Sequence, residues 1–356
     1  MKDTEKALKE ELSQHFIAQA QRICMLAKLI LGVLKMGTVS YSKLSKVLNP
    51  NVKRASNFKR IQRFIKLFNF CKTAYVQLVW RLFSEEGKYV ILTMDRTNWK
   101  FGQSNINILM LGISYKGTAI PLVWSLLDKR GNSNTKERIA LMNELLERLS
   151  KKQKQKIRCF VADREFIGNE WLSYLKKQSF RFFIRIRSNT KIRKMAKQKE
   201  RLAREIFKTS HFKVLRKERM IWGHRLFLGG QQLSDKEWLI LVSAQPLSAA
   251  KSYYGERWGI EVFFAACKTR GFNFEDTHVT KLKRIYNLLF VVAIAFIWAI
   301  KTGEYLVKNG YKIPIKKLKK RKAKLYSIFR VGFDYLQEQL LNFLSIQDKI
   351  RLLSCT

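Results

Sequence analysis

Four residues in the last third of the chain have the types and spacing for chemistry on an anionic substrate. Tyr254, Arg257, Glu261 and Lys268 fall within an arc of about 60° on one helical face, at roughly 100° per residue. A phenol, a guanidinium, a carboxylate and an ammonium thus line one stripe. On an arbitrary helix such a stripe is a solvated charged face. Here Trp258, Ile260, Val262, Phe263 and Phe264 flank it. That flanking predicts a helix packed on several sides, with its polar stripe turned to a cleft. Two more acids, Asp95 and Asp163, close short apolar runs at residues 89–94 and 157–162. With Glu261 they form a set of hard oxygen donors suited to Mg²⁺ or Mn²⁺. Two such ions about 4 Å apart activate a water or a DNA 3′-hydroxyl and stabilise the leaving oxygen of an in-line displacement at phosphorus. Arg257 and Lys268 could then grip the adjacent phosphates.

The composition agrees with a polyanionic partner. The 356 residues include 70 Lys or Arg and 27 Asp or Glu, a formal net charge of +43. A field of that sign calls for nucleic acid, an anionic membrane surface or an acidic protein. At 47% hydrophobic and 12% aromatic residues, the chain is too apolar for a disordered basic tail. The five cysteines are scattered with no C-x-x-C pair, which argues against a disulfide framework or zinc knuckle and for a reducing cytosol. The first residues are charged and amphipathic rather than arranged as a signal peptide. Residues 288–300 (LLFVVAIAFIWAI) form an apolar run too short to span a bilayer, so a buried core helix is expected and no membrane partner.

The elements that must carry these residues read as three regions. Residues 1–75 are helical by the spacing of Leu8, Leu12, Phe16 and Ile17, then Ile23, Leu26, Ile30 and Leu34. After the breaker at 49–51, Phe58, Ile61, Ile65 and Phe68 take one side of a helix. Asn57, Lys59, Arg60, Gln62, Arg63 and Lys66 take the others. This is the composition of a helix that reads a major groove, and equally of an ordinary basic surface helix. From Tyr89 the period changes to strands at 89–94, 106–114 and 118–127. A helix opens at Asn134 or Thr135, followed by a strand at 157–162, a helix at 169–177 and a strand at 180–186. Such an order predicts an α/β fold with a mixed sheet, both acids sitting where open α/β sheets place their ligands. Residues 187–245 read as a β insertion, 248–270 as one helix, and 280–356 as helical and basic, including the cluster at 316–324.

The spacing Tyr254-x2-Arg257-x3-Glu261-x6-Lys268 resembles the YREK signature of the insertion-sequence group of DDE transposases. These are the cut-and-paste enzymes of bacterial mobile elements. Residues 94–97 (MDRT) resemble the group's first-aspartate motif, and residues 161–165 (VADRE) its second. The likeness covers roughly residues 85–300. It implies an RNase H-like α/β core with a mixed sheet flanked by helices, a β-strand insertion and helical N- and C-terminal regions. The implied catalytic core is 81–279 with its insertion at about 187–245, while position and charge assign residues 1–80 to a DNA-end-binding domain and 280–356 to DNA contact or dimerisation. It implies a metal-binding catalytic triad of Asp95, Asp163 and Glu261, two Mg²⁺ ions for which Mn²⁺ can substitute, cleavage at transposon ends, and strand transfer into target DNA, with a hairpin route open. It also implies a homodimer in the synaptic complex, terminal inverted repeats and target DNA as partners, and a place in the cytoplasm at the bacterial nucleoid. DNA contacts are then expected from Tyr254, Arg257, Lys268, Lys59, Arg60 and Arg63.

In that group a tryptophan of the insertion stacks on a flipped base. Trp238 resembles it, with Trp222 second and a core-facing strand aromatic as the alternative. Arg96 and Lys100 are expected on phosphate, and Glu165 as a helix N-terminal acid or an arginine partner. Two other functions stay open: a catalytically silent DNA-binding derivative, and an RNase H-like nuclease without strand transfer.

Overall fold

The computed structural model describes residues 2–85, 87–194, 199–318 and 321–354. The chain divides into two units. One comprises Met1–Phe83, Trp99–Ile106 and Phe263–Thr356, the other Ser84–Asn98 and Asn107–Val262.

The first unit begins with α1 (Lys2–His15) and α2 (Ala20–Met36), which buries Ile23, Leu26, Ile30, Val33 and Leu34 at the helical period. Next come α3 (Tyr41–Leu44), α4 (Arg54–Leu67) and α5 (Lys72–Phe83). Helix α4 buries Ile61, Phe64 and Ile65 and leaves Lys59, Arg60 and Arg63 exposed. Asn57 departs from expectation. It is 1% exposed, and its amide donates to the carbonyls of Ser45, Asn49 and Val52 at 3.1, 2.8 and 3.4 Å. A residue placed on the groove-reading side by its polarity instead satisfies the backbone of the turn between α3 and α4.

The second unit carries a sheet. Its chain order is β1 (Val90–Phe101), β2 (Ser104–Tyr115), β3 (Thr118–Leu126), α6 (Thr135–Leu146), α7 (Lys151–Gln155), β4 (Ile157–Ala162), α8 (Asn169–Lys177) and β5 (Phe182–Arg185). Then follow β6 (Lys191–Ile192), β7 (Arg201–Leu202), α9 (Ala203–Ile206), β8 (Lys213–Val214), β9 (Arg219–Ile221), β10 (His224–Ser234) and β11 (Glu237–Ser243). The strands order as β3-β2-β1-β4-β5-β11-β10-β8, with β9 on β10. Strands β1, β4 and β5 are parallel, while β2–β3 and β5–β11 are antiparallel. This mixed sheet flanked by helices is an α/β fold of RNase H-like type. The β insertion expected at 187–245 is not a separate body. Leu239, Ile240, Leu241 and Val242 are all buried, so β11 needs cover on both faces and continues the main sheet beside β5. Helix α6 starts at the expected residue because Asn134 and Glu137 form a reciprocal capping box.

The helix expected over 248–270 is broken. It becomes α10 (Ala250–Gly255), a 3₁₀ turn (Glu256–Trp258) and α11 (Gly259–Cys267). Glycines at both ends of the turn weaken the helix, and the Ser114 hydroxyl donates to the Glu256 carbonyl at 3.1 Å.

The first unit resumes with α12 (Leu282–Lys308), a β12 (Ile315–Leu318) and β13 (Arg321–Lys324) ladder, α13 (Ile328–Leu341) and α14 (Gln347–Ile350). Within the basic cluster at 316–324, Lys319 and Lys320 lie outside the described residues. Helix α12 is long and apolar enough to cross a membrane, but 89% of its most apolar window is buried inside the protein, against α2, α4 and α13. Two of its buried polar side chains are tied inward. The Asn287 amide donates to Ile65 and Phe68 carbonyls at 2.8 Å each, and the Trp298 ring N–H to Lys349 at 2.9 Å. Helices α12 and α13 touch backbone to backbone, since a Cβ on Gly332 would run into the Ala299 carbonyl and one on Gly303 into that of Ile328. Gly332→Ala should therefore lower the stability of the chain by about 1–3 kcal/mol, measured by urea denaturation with unchanged helix content before the transition.

Candidate active site

The second unit brings five of the expected residues into one network. Met94 and Ala162 are parallel partners in β1 and β4. The next residue on each strand is an acid, so Asp95 and Asp163 leave the ladder side by side. Asp163 follows the end of β4, whereas Asp95 lies within the long β1, at the end of its parallel segment. Glu261 comes from the first turn of α11. Arg257 sits between two of these acids, donating from Nη1 to Asp95 Oδ2 at 3.3 Å and from Nη2 to Glu261 Oε1 at 2.9 Å. The Tyr254 hydroxyl donates to Asp163 Oδ1 at 3.2 Å. The Arg96 backbone N–H donates to Asp95 Oδ1 at 2.7 Å.

Local packing explains the placement. Tyr254 and Ala250 belong to a buried cluster with Cys159, Val161, Phe183, Leu239, Leu241 and Leu247, so the apolar side of α10 lies on the sheet. A Cβ on Gly259 would stand 2.5 Å from the Thr118 carbonyl carbon and oxygen. Only glycine lets the chain pass there, two residues before Glu261. Trp258 was expected to pack, yet it is 63% exposed, because the 3₁₀ turn rotates it outward. Its ring centre lies 5.6 Å from the Arg257 guanidinium, and that of Tyr254 lies 5.8 Å away.

The electrostatics are those of acids short of positive charge. Burial pushes the Asp95 carboxyl up to about 6, the bond from Arg96 N–H and the charge of Arg257 pull it back, and Glu261 and Asp163 raise it further. Burial alone would lower the Arg257 guanidinium, but Tyr254, Asp163, Asp95 and the bond to Glu261 outweigh it and hold it above its ordinary value. Burial and the neighbouring Asp163 raise the Tyr254 phenol, so it stays protonated as a donor.

Among the described residues, no three His, Cys, Asp or Glu side chains are gathered tightly enough to hold a metal ion. The reason is Arg257, whose guanidinium fills the space between Asp95 and Glu261. The donor set still fits a hard divalent cation. All three acids offer carboxylate oxygens, and Glu261 and Asp163 both act on the titration of Asp95.

A second network braces the first. The Arg96 Nε and Nη2 reach Glu165 Oε1 and Oε2 at 3.0 and 3.2 Å, and the same guanidinium bonds the side-chain oxygens of Asn98, Asn107 and Asn132. Glu165 also accepts from the Ser133 backbone N–H at 3.2 Å, and the Ser133 hydroxyl accepts from Arg138 at 2.9 Å. Arg96 was expected on phosphate. Instead its donors are spent on a bidentate clamp that ties the ends of β1 and β4 one residue beyond Asp95 and two beyond Asp163. Glu165 is the arginine partner rather than a helix-start acid. The sequence signal was present as paired D-R and D-x-E steps after the two acids, but pairing them requires the strands to be neighbours.

The remaining expected residues lie elsewhere. Lys268 belongs to the first unit, 3.0 Å from Glu275 and 5.6 Å from the Trp99 ring centre. Trp238 is half-buried on β11, its ring nitrogen buried without a hydrogen-bond partner. Trp222 occupies a left-handed backbone position, φ 48°, and lines a cavity of about 640 Å³ with Arg187, Asn189, Arg193 and Met220. A bulky residue held at positive φ is strained. In the first unit, Arg60 and Arg63 line a cavity of about 550 Å³ with Arg22, Lys28 and Phe64.

Residues 86–298 match the family described as Transposase DDE domain. The chain belongs to this family and is a DNA transposase, an enzyme of DNA cleavage and strand transfer. No curated protein matches the chain. Among solved structures, a piggyBac transposase synaptic complex with hairpin DNA, determined by cryo-EM, is similar at 11% identity and a TM-score of 0.44, over 92% of this chain and 73% of that one.

Two outcomes follow from these networks. A carboxyl raised in the folded state stabilises the fold below its ordinary value of 3.8 and loses that contribution as pH rises through about 6. In the absence of divalent ions, Asp95→Asn should therefore melt a few degrees above the wild type at pH 7.5, with the gap closing by pH 4, as read by calorimetry. Glu165→Gln strands a largely buried guanidinium and should cost about 2–3 kcal/mol. The charge swap Arg96→Glu/Glu165→Arg should recover part of that loss in chemical denaturation.

Proposed function

We propose that this transposase is a member of the insertion-sequence group with the YREK signature, with Asp95, Asp163 and Glu261 as its catalytic and metal-binding triad. The observation that carries the reading is the single network of Tyr254, Arg257 and the three acids at the end of the parallel strands. Two Mg²⁺ ions, replaceable by Mn²⁺, would be held by these carboxylates and would supply an activated oxygen nucleophile and neutralise charge on the leaving oxygen.

The chain's own residues do the rest. Asp95 must be ionised to act, and burial makes its carboxyl hold a proton more tightly in the metal-free protein, so cation binding there would release that proton. Arg257 offsets part of the charge of Asp95 and Glu261 in the resting protein. Its planar donors suit phosphate equally well, so it can pass from the carboxylates to the DNA backbone when the cations arrive. Tyr254 stays protonated and can orient Asp163 or donate to a phosphate oxygen. Lys268 contributes a further phosphate contact. Trp258, exposed and beside Arg257, offers a ring to DNA at the same place. For the base-stacking role we favour Trp222 over Trp238, because Trp222 lines a basic cavity of nucleotide-accommodating size, and stacking would offset part of the cost of flipping a base. That pocket suits a hairpin route.

Residues 1–80 are proposed as the transposon-end-binding domain, reading terminal inverted repeats through α4 with Lys59, Arg60 and Arg63. Residues 81–279 form the catalytic core, and 280–356 assist in DNA contact or in a homodimer within the synaptic complex. The working place is the cytoplasm, at the bacterial nucleoid.

The test uses an end-containing oligonucleotide with Mg²⁺. Asp163→Ala should abolish cleavage by about a thousandfold or more while leaving DNA binding within a few-fold. Cleavage that survives this substitution would remove the triad assignment. A 3′-hydroxyl joining assay separates strand transfer from simple nuclease action.

A further inference from the structure

A second surface of the second unit, at the other end of the parallel strands, has the build of a nucleic-acid contact. Strand β4 runs six residues from Ile157 to Ala162, a length of about 20 Å at 3.3 Å per residue. The acids follow its far end. Around its near end lies a cavity of about 530 Å³ lined by Lys154, Arg158, Gln178, Arg181, Gln245 and a single acid, Glu147. Beside the cavity is a ladder of guanidinium groups and rings. Arg158 stands 4.9 Å from the Tyr89 ring centre and donates to the Tyr253 hydroxyl at 3.4 Å. Tyr253 stacks on Phe183 at 5.7 Å and 10°, and Arg181 covers Phe183 at 5.2 Å. Tyr89 is 64% exposed.

The charges here are arranged against local stability. Lys151, Lys152, Lys154, Lys156 and Arg158 occupy eight consecutive residues without an acid. Among the described residues none of them forms an ion pair. Helix α7 is held by the Ser150–Gln153 capping box, yet its first turn carries Lys151 and Lys152, the wrong sign for a helix N-terminus. A pattern that breaks a local rule without a folded-state gain points to a ligand. Stacking on Tyr89 uses the flat face of Arg158, its Nε is turned to the Tyr253 hydroxyl, and its in-plane Nη donors remain for phosphate oxygens.

We propose that this face holds the phosphate backbone of a second DNA duplex, separate from the one engaged at Asp95, Asp163 and Glu261, without regard to its sequence. The proposal extends the transposase assignment and rests on it only in taking DNA as the polyanion. The test substitutes Gln at Lys151, Lys152, Lys154 and Arg158. The full-length protein is first saturated with a short end-containing duplex. A labelled 40-base-pair duplex of unrelated sequence is then titrated in at several salt concentrations. The variant should bind the second duplex at least tenfold more weakly, with the slope of log K against log salt reduced by about 3 to 4. Its melting temperature should be unchanged or slightly raised, and its affinity for the first duplex and its Mg²⁺-dependent cleavage should be unchanged. Should the four substitutions perturb folding, Lys151→Gln/Lys152→Gln alone should lower the slope by about 2. An unchanged slope and affinity would overturn the proposal. So would an equal loss of binding to the first duplex, or a loss confined to phosphatidylserine vesicles. A wild type that binds both duplexes but never cuts would count against the triad and leave this surface standing.

Discussion

One guanidinium, that of Arg257, is the interaction on which the site depends. Three carboxylates gathered around one buried member, Asp95, repel one another, and the cost grows as the local dielectric falls. Arg257 lies against two of them and Tyr254 against the third. The resting protein therefore carries its own cation where the chemistry needs cations. The arrangement explains why the acids are not clustered as a ready metal cage, and why Asp95 nonetheless holds its proton more tightly than a free carboxylate.

Placing that guanidinium takes the whole second unit. Two parallel strands set Asp95 and Asp163 side by side, and the Arg96–Glu165 clamp fixes the strand ends. The apolar side of α10 seats Tyr254 on the sheet. The 3₁₀ turn and Gly259 then bring the start of α11 close to the Thr118 backbone, so that Glu261 reaches Arg257 from the far side. Each device is small. Together they hold the side chains of Asp95, Asp163 and Glu261 within reach of Tyr254 and Arg257.

Much of this was legible in the sequence because it is periodic. Apolar runs ending in Asp95 and Asp163, the stripe containing Tyr254, Arg257 and Glu261, and a helix opening at Asn134 or Thr135 all declare themselves through spacing. What was not legible depends on neighbours distant in the chain. Asn57 and Arg96 are polar, and polarity alone suggests surface and solvent. Their actual partners are carbonyls of an adjacent turn and an acid 69 residues away. The break at 256–258 likewise depends on the Ser114 hydroxyl, 142 residues earlier. The strands beyond 212 read as an insertion, and their continuation of the main sheet was not legible because nothing local reveals that β5 leaves an edge for β11.

The apolar helix α12 has a consequence for synthesis. Its amide contacts reach back to Ile65 and Phe68, and its other flank is covered by α13, which starts only at Ile328. On the ribosome, this greasy segment emerges before its last cover has been made, while its earliest partners wait more than two hundred residues upstream. A message interrupted between these helices would release a polypeptide with an unshielded sticky rod, prone to clump rather than to linger as a soluble fragment. Damage to the reading frame at that point would thus silence the product through loss of solubility.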